Sequence, residues 1–311
     1  MAKVKDIKWQ KGMKVFELVK SLGNCGFQGV ELNKAVECFT KMKREGAKIY
    51  LTFTSNMTTS GLRGFFAQLI ELKMADVIIT TVGSIEEDIM KAIGEDFYIG
   101  NYSADDVGLH EKGMNRVGNL LIRNESYERF ESYMLEILAK LYAKKNRYSV
   151  SEMLKEIGLM LKDERSILYQ AAKNNVPVFC PAITDGAFGF HLFMFQQDHK
   201  DFVIDVVQDF ANLIFSSTHD DKKAIIALGG GVSKHHAILG TLLNGGADYA
   251  VYMTTAHEYS GSLSGATTRE AKSWGKIKDS ADAVTVIGDV SITFPLAMFA
   301  ALDILSEEGL I

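Results

Sequence analysis

The clearest candidates for chemistry lie in residues 258–276, which read EYSGSLSGATTREAKSWGK. The glycine, serine and threonine content predicts a long ordered loop, and such loops are usually functional. The segment ends in Lys276, directly after Trp274 and Gly275. Aromatic packing that desolvates a lysine lowers its pKa, and a neutral amine attacks imines and carbonyls. Lys276 is therefore a candidate nucleophile, and an ordinary surface loop is the alternative interpretation.

A glycine triplet followed by two histidines is the second candidate. Residues 228–232 (LGGGV) follow a predicted strand and precede a predicted helix that contains His235. Such a turn suits close approach of a phosphate or nicotinamide, but a plain tight turn is equally compatible, because the G-x-G-x-x-G pattern is absent. His235 is a candidate general base, since histidine titrates near neutrality. No zinc site is predicted, because His235 and His236 lack further ligands at suitable spacing.

Acidic residues supply a third set of candidates. Glu86, Glu87 and Asp88 follow a polar run at 80–84 and are predicted to stand at the start of a helix. They would hold ammonium groups or ribose hydroxyls if they face a ligand, although helix N-termini favour acidic residues in any case. Asp185 follows another predicted strand and could bind a ribose hydroxyl or only cap a turn.

The elements that must position these residues are predicted from periodicity. Apolar and β-branched runs at 49–54, 77–81, 176–179, 225–228, 250–253 and 284–287 alternate with segments of helical period. This pattern predicts an α/β fold with a mostly parallel sheet flanked by helices. Helices are predicted at 125–144, 150–162 and 164–173, with Ser151 as a cap of the second. No linker interrupts residues 1–311, which are interpreted as a single domain.

Small or polar residues end most of the predicted strands, at 54–56, 80–84, 184–186, 229–231, 254–256 and 288–289. Ligands of open α/β sheets bind outside the carboxyl ends of the strands. We therefore expect these clusters to line one site.

The composition is that of a globular protein. The chain has 311 residues, 47% of them hydrophobic, and a net charge of −5. No basic stretch could neutralise phosphates, so no nucleic acid partner is predicted, and a cationic ligand fits better. Cys25, Cys38 and Cys180 fit thiols in a reducing compartment. No run reaches the roughly 18 apolar residues of a membrane span. We predict a cytoplasmic protein without membrane contact.

In one order along the chain, several segments resemble the deoxyhypusine synthase family. The most specific is 273–277 (SWGKI), and the others are 54–61 (TSNMTTSG), 80–88 (TTVGSIEED), 115–121 (NRVGNLL), 181–186 (PAITDG), 229–236 (GGGVSKHH) and 246–252 (GADYAVY). The resemblance implies a Rossmann-like NAD-binding fold and a homotetramer with active sites at subunit interfaces.

The resemblance also implies an activity and a role for each matching residue. Such an enzyme uses NAD to oxidise spermidine, carries the aminobutyl group as an imine on Lys276 and passes it to a lysine of a translation initiation factor. His235 matches the base near the oxidised amine. The polyamine positions are matched by Glu86, Glu87, Tyr252, Gly261, Ser262, Glu270 and Trp274. The NAD positions are matched by Ser55, Asn56, Thr59, Thr81, Gly83, Glu87, Asp185, Gly230, Thr255, Ala256 and Asp289.

Four positions depart from the family pattern. Phe190, Ser260 and Leu263 stand where the family carries aspartates, and Leu239 replaces an asparagine. A charge-assisted hydrogen bond contributes about 1.5 to 3 kcal/mol, so two apolar replacements would weaken amine binding by about two to four orders of magnitude. Phe190 and Leu263 would favour a donor with a less hydrophilic far end.

Other functions therefore stay open. One is a related, homospermidine-type aminoalkyl transferase with altered amine specificity. Another is a non-catalytic, NAD-binding regulatory paralogue. A generic NAD-dependent dehydrogenase would require the missing glycine fingerprint.

Overall fold

The computed structural model describes residues 3–311. Its helices are α1 (Val15–Leu22), α2 (Phe27–Arg44), α3 (Ser55–Thr59), α4 (Arg63–Glu71), α5 (Val82–Ala92), α6 (Asp106–Glu111), α7 (Asn124–Lys144), α8 (Val150–Met160), α9 (Ile167–Lys173), α10 (Ala187–Asp198), α11 (Val206–Ile214), α12 (Gly231–Leu242), α13 (Thr268–Ser273) and α14 (Val290–Glu307). Its strands are β1 (Lys48–Phe53), β2 (Val77–Ile79), β3 (Tyr98–Ile99), β4 (Met114–Val117), β5 (Leu120–Arg123), β6 (Arg147–Ser149), β7 (Val178–Phe179), β8 (Val203–Asp205), β9 (Lys223–Leu228), β10 (Ala247–Thr254) and β11 (Ile277–Ile287).

The chain forms two compact units. The first comprises the residues up to Phe53, Leu72–Ile79 and Leu213–Ile311, and the second comprises Thr54–Glu71 and Thr80–Asn212. The interpretation of residues 1–311 as one domain stays a prediction. The candidate site residues are divided between these units, with Lys276 and His235 in the first.

A parallel sheet in the order β11-β10-β9-β1-β2 is the centre of the first unit. Helices cover both of its faces. The Tyr249 hydroxyl donates to Glu45 at the end of α2, at 2.6 Å. The ring of Tyr252 lies 4.3 Å from Nζ of Lys234 on α12. Tyr249 and Tyr252 are three residues apart on β10, so their side chains point to opposite faces of the sheet, with α2 on one face and α12 on the other. The predicted parallel sheet flanked by helices is therefore confirmed.

The last strand of this sheet, β11, pairs irregularly near its start. The register with β10 shifts between Ala247 and Tyr249, so residues 278–281 bulge opposite a single residue of β10. Lys272 of α13 donates to two carbonyl groups of this bulge, at 2.8 and 3.3 Å. Only the regular part of the strand carries the apolar pattern that predicted a strand at 284–287.

Helix α14 is long and apolar enough, by length and composition, to cross a membrane. In the first unit it packs against α1, α2 and β10. Its buried residues include Phe294, Met298 and Leu305, and the Phe294 ring meets Phe39 of α2 edge-on at 6.3 Å. These contacts account for part of its apolar composition, whereas Ile292 and Phe299 stay exposed.

The second unit is mainly helical, and α5 contacts α3, α7, α9 and α10 within it. It also contains an antiparallel sheet in the order β3-β5-β4 and a parallel pair, β6 and β8, which the sequence did not predict. The NRVGNLL segment lies within the β4–β5 hairpin, and Gly118 in its two-residue turn has φ of +61°. These strands are too short to show a recognisable alternation.

Helices α7 and α8 confirm the helices predicted at 125–144 and 150–162. The prediction that Ser151 caps α8 is wrong. Ser149 accepts the Glu152 N–H, and the Glu152 carboxylate accepts the Ser149 N–H. This reciprocal pair is a capping box, which places Ser151 inside the helix.

Candidate active site

Lys276 is fixed by the turn that ends α13. Gly275 has a left-handed conformation with φ of +67°. Its N–H donates to the Lys272 carbonyl at 2.9 Å, and the Lys276 N–H donates to the Ala271 carbonyl at 3.1 Å. These two bonds form a Schellman cap, in which glycine adopts the left-handed conformation without steric cost. The S-W-G-K sequence therefore fixes the main chain from which Lys276 projects.

The Lys276 side chain lines a small cavity on the α12 face of the first unit's sheet. The other lining residues are Lys234, Ile238, Tyr252, Leu263, Ala266, Thr267, Glu270, Ala271 and Trp274. The Lys276 Nζ lies 4.9 Å from the Trp274 ring centre. The cavity encloses about 20 Å3, close to the space of a single water. Four predicted residues, Tyr252, Glu270, Trp274 and Lys276, are thus brought together.

The Tyr252 hydroxyl has no hydrogen-bond partner among residues 3–311, although it is buried. Burial raises the pKa of this phenol, so the group stays protonated and is a donor. An unpaired buried hydroxyl costs about 1 to 3 kcal/mol. A ligand or water in the cavity would recover part of that free energy by accepting a hydrogen bond from Tyr252.

Lys234 is a cavity residue that the sequence interpretation missed. Burial lowers its pKa to about 8, the Glu270 charge opposes this effect, and the Lys276 charge adds to it. The sequence does hold a signal, because Lys234, Ala237 and Ile238 recur at helical spacing on the buried side of α12. A lysine on an apolar helix face is unusual, and this feature of the sequence could have identified Lys234 as a candidate site residue.

His235 lies on the exposed side of α12 and is not among the residues that line the cavity. Its neighbour His236 is different. Burial lowers the pKa of His236 to about 4, and the charge of His235 adds to the effect. His236 is therefore neutral near pH 7, while His235 faces solvent.

The carboxyl ends of β9, β10 and β11 meet at one edge of the sheet. Met253 pairs with Leu228, and Thr254 pairs with Ile287. The predicted clusters at 229–231, 254–256 and 288–289 therefore emerge together. Lys276 does not join them, because its main chain precedes the first residue of β11, at the opposite end of the strand.

The loop at residues 255–267, which we call the β10–α13 loop, covers the glycine turn. A Cβ at position 230 would lie 2.3 Å from Oγ of Ser264, so Gly230 permits this close packing. Gly229 and Gly231 have φ of +82° and +69°, which favour glycine. The loop contains a 3-10 helix (Glu258–Ser260) and is followed by α13, so the prediction of a loop throughout 258–276 is wrong.

The remaining predicted residues of the first unit lie near this edge. Thr255, Gly261 and Ser262 are exposed in the β10–α13 loop, and Ala256 donates its N–H to the Thr254 hydroxyl at 3.0 Å. Asp289 caps α14 by accepting the Ser291 N–H at 2.8 Å. This local role accounts for an aspartate there without a ligand.

In the second unit, α3 and α5 bring several predicted NAD positions together. A Cβ on Gly83 would lie 2.8 Å from Cβ of Ser55. The Thr59 hydroxyl donates to the Glu87 carboxylate at 2.6 Å. The Thr81 hydroxyl, at the start of α5, is buried without a partner among the described residues. This group is available to a ligand.

The acidic residues were predicted at the start of a helix, but they do not lie at the start of α5. The helix begins at Val82, so Glu86, Glu87 and Asp88 lie beyond its first turn, and all three are buried. Glu86 accepts the Phe188 N–H near the start of α10 at 2.8 Å, and burial raises its pKa. The helix-terminus explanation is therefore wrong, because each carboxylate has its own buried partner.

Two further predicted NAD positions lie in the second unit, one in the short helix α3 and one in a turn. Asn56 accepts the Thr54 hydroxyl at 2.6 Å, and Asp185 is exposed in the turn before α10. Neither side chain is buried by these contacts, so both stay accessible within the unit.

The family model for deoxyhypusine synthase matches residues 17–301. This chain belongs to the deoxyhypusine synthase family. A Thermoplasma acidophilum protein named "Probable deoxyhypusine synthase" is 42% identical over 277 residues, which cover 88% of each chain. A Schizosaccharomyces pombe protein of the same name is 39% identical over 306 residues, covering 93% of this chain and 87% of its own. A solved structure from Entamoeba histolytica, described as a candidate deoxyhypusine synthase, is 30% identical with a TM-score of 0.70 and covers 97% of each chain.

Membership in the deoxyhypusine synthase family confirms the resemblance predicted from the motifs and makes this protein a transferase. Of the four positions that depart from the deoxyhypusine synthase pattern, Leu263 lines the Lys276 cavity. Leu239 is half-buried on α12, and Ser260 is exposed in the β10–α13 loop. Phe190 is exposed on α10 in the second unit.

Glu87 should make the stability of this deoxyhypusine synthase family member depend on pH. Burial raises the pKa of Glu87 to about 7, although the Thr59 hydroxyl and the Lys91 charge oppose it. Between about pH 4.5 and 7 the native state holds a proton that the unfolded chain releases, so this group costs stability as pH rises. Glu87→Gln should remove this cost, worth up to about 3 kcal/mol, and show its largest gain at pH 8.

Urea unfolding of both proteins at pH 5 and pH 8 measures this effect. Glu136→Gln, at an exposed carboxylate of α7, is the matched control and should follow the parent at both pH values. An equal difference between parent and Glu87→Gln at the two pH values would contradict the assignment.

Proposed function

We propose that this protein catalyses NAD-dependent transfer of an aminobutyl or similar aminoalkyl group from a polyamine such as spermidine to a lysine of a translation initiation factor. Family membership supports a transferase of hypusine synthesis. The observation that carries the proposal is the position of Lys276 beside Trp274, Glu270 and the unpaired Tyr252 hydroxyl in one cavity.

The chemistry uses the side-chain amine of Lys276 as the nucleophile. It attacks the carbon of the imine formed by oxidation of the donor, and the rest of the donor leaves as an amine once a proton reaches its nitrogen. The carbon–nitrogen double bond then joins the aminobutyl group to Lys276. The acceptor lysine repeats this exchange and releases Lys276. We assign Glu270 to the cationic amine, Trp274 to the alkyl chain and His235 to removal of the first amine proton.

NAD, when bound, would accept the hydride from the carbon beside nitrogen and return it in the last step. Residues of the second unit proposed to hold it are Ser55, Asn56, Thr59, Thr81, Gly83, Glu87 and Asp185. Those of the first unit are Gly230, Thr255, Ala256 and Asp289. The Thr81 hydroxyl, which has no partner among the described residues, fits a bound group, whereas Gly83 is explained by its packing against Ser55. Gly230 fits less well, because Ser264 covers it.

The donor need not be spermidine itself. Among the residues that line the cavity, Glu270 is the single carboxylate beside two lysines, Lys234 and Lys276, and Leu263 adds an apolar wall. This balance favours an alkyl segment over a second cation. It supports a homospermidine-type or other altered amine specificity as the alternative within the same reaction class.

We further propose a cytoplasmic homotetramer. On α10, Phe190, Phe193 and Met194 expose 56%, 56% and 47% of their surface, and such apolar side chains suit a subunit interface. Cys38 and Cys180 are buried free thiols, which suits a reducing compartment.

The reaction is tested by incubating the purified chain with NAD and either spermidine or another polyamine, followed by borohydride reduction. We expect NADH fluorescence and an aminoalkyl adduct on Lys276 in the peptide mass spectrum. If NAD binds but every amine leaves Lys276 unmodified, the enzymatic function is wrong and the regulatory paralogue is supported.

A further inference from the structure

The proposed reaction does not use Lys234, although this lysine lies in the same cavity as Lys276. It is 1% exposed. Its Nζ donates to the carbonyls of Leu263 at 2.9 Å and Ala266 at 2.7 Å, and lies 4.3 Å from the centre of the Tyr252 ring. Two carbonyls and an aromatic face thus surround the ammonium group.

The two carbonyls belong to the ends of a tight turn in the β10–α13 loop. The Ala266 N–H donates to the Leu263 carbonyl at 3.2 Å. Between them, Ser264 accepts the Gly231 N–H at 3.1 Å. Lys234 and Gly231 both belong to α12, so this helix holds the turn by its side chain and its first amide.

The same turn forms one wall of the Lys276 cavity. Leu263, Ala266 and Thr267 all line it. The enclosed space of about 20 Å3 is too small for a polyamine chain. A donor therefore fits only when part of the lining moves, and the contacts that hold this wall to α12 contribute to how firmly the donor is held.

We propose that Lys234 is a positioning residue that holds the β10–α13 loop against α12 and thereby sets the affinity of the amine cavity. The effect on affinity rests on the proposed function, whereas the effect on the loop does not. Lys234 forms no bond with the donor in this assignment.

Lys223 offers a matched control in the same unit. It is 0% exposed, and its Nζ also donates to two loop carbonyls, those of Thr218 at 2.8 Å and Asp221 at 2.6 Å. It is the first residue of β9, whereas α12 follows the other end of that strand. Lys223→Met therefore removes an equivalent buried ammonium group away from the cavity.

The loop is tested first, without any substrate. Tyr259 is 91% exposed in the β10–α13 loop, and chymotrypsin cleavage after it requires the surrounding loop to open. We expect Lys234→Met to be cut there about tenfold faster than the parent, and Lys223→Met to be cut at the parental rate. An unchanged rate in Lys234→Met, or an equal increase in both variants, overturns the proposal.

The amine cavity is tested by the concentration of donor that gives half-maximal adduct on Lys276. Lys234→Met should raise this concentration about tenfold and change the maximal rate much less, a split that general destabilisation would not produce. An unchanged half-saturating concentration overturns the role in affinity. If the parent forms no adduct with any amine, the proposed function fails, while the cleavage comparison still decides the role of Lys234. Lys234→Gln, which keeps an amide donor, serves the same comparison if Lys234→Met does not fold.

Discussion

Replacing Lys276 by arginine is expected to abolish the covalent adduct and to lower aminoalkyl transfer at least about a thousandfold. Arginine keeps its proton at any accessible pH and cannot supply a neutral amine. The fold should survive, because the structural bonds of Lys276 come from its main chain: its N–H donates to Ala271, and its carbonyl accepts from Ala247. Arginine can also keep the cation–π contact with Trp274.

The matched control for this loss is Lys272→Arg on the neighbouring helix α13. Lys272 donates only to carbonyls of the β11 bulge, so this variant should form the adduct at the parental rate. Borohydride trapping and peptide mass spectrometry compare the proteins directly. An adduct on another lysine in Lys276→Arg, or undiminished transfer, would show that Lys276 is not the nucleophile.

The second large effect is expected from Asp88→Ala, which should lower the free energy of unfolding by about 3 to 5 kcal/mol. Asp88 is 1% exposed and accepts hydrogen bonds from Arg63 at 2.5 Å, the Ser166 hydroxyl at 2.8 Å, and the main-chain amides of Ile167 and Leu168 at 3.1 and 2.8 Å. One carboxylate thus joins α5, the Arg63 guanidinium and the first amides of α9. Its removal leaves Arg63, itself 5% exposed, without its main counter-charge.

An exposed pair of the same chemistry provides the control. Asp106 accepts two hydrogen bonds from Arg116, at 2.5 and 2.7 Å, but Asp106 is largely exposed. Asp106→Ala should change stability little, because solvent screens the pair and solvates the arginine that is left. Urea unfolding of both variants measures the two losses in the free energy of unfolding, and their difference gives the effect of burial on an arginine–aspartate pair. Comparable losses in the two variants would contradict the argument.

The sequence was most informative where the candidate site residues and the residues that fix their main chain are neighbours in the chain. Trp274, Gly275 and Lys276 are adjacent, and the Schellman cap that holds them is a local structure, so this part of the site could be predicted. The regular parts of β9 and β10 were predicted for a similar reason, because fully buried parallel strands read as apolar runs.

Long-range contacts explain what was missed. Lys234 meets carbonyls 29 and 32 residues further along the chain, a relation that no local pattern encodes. The acidic run at 86–88 seemed a single cluster in the sequence, yet each of its carboxylates meets a different segment. Glu86 meets Phe188, 102 residues further along the chain, and Asp88 meets Arg63, 25 residues earlier, and Ser166, 78 residues later.

The bulge in β11 also bears on the behaviour of the chain at high concentration. An edge strand with a continuous row of free amide and carbonyl groups is a template for sheet growth between molecules. In β11 the row is broken at residues 278–281, Lys272 occupies two of the carbonyls, and Asp282 adds a charge. The regular row is thereby limited to residues 282–287, which shortens the template that this edge offers to a strand of another molecule.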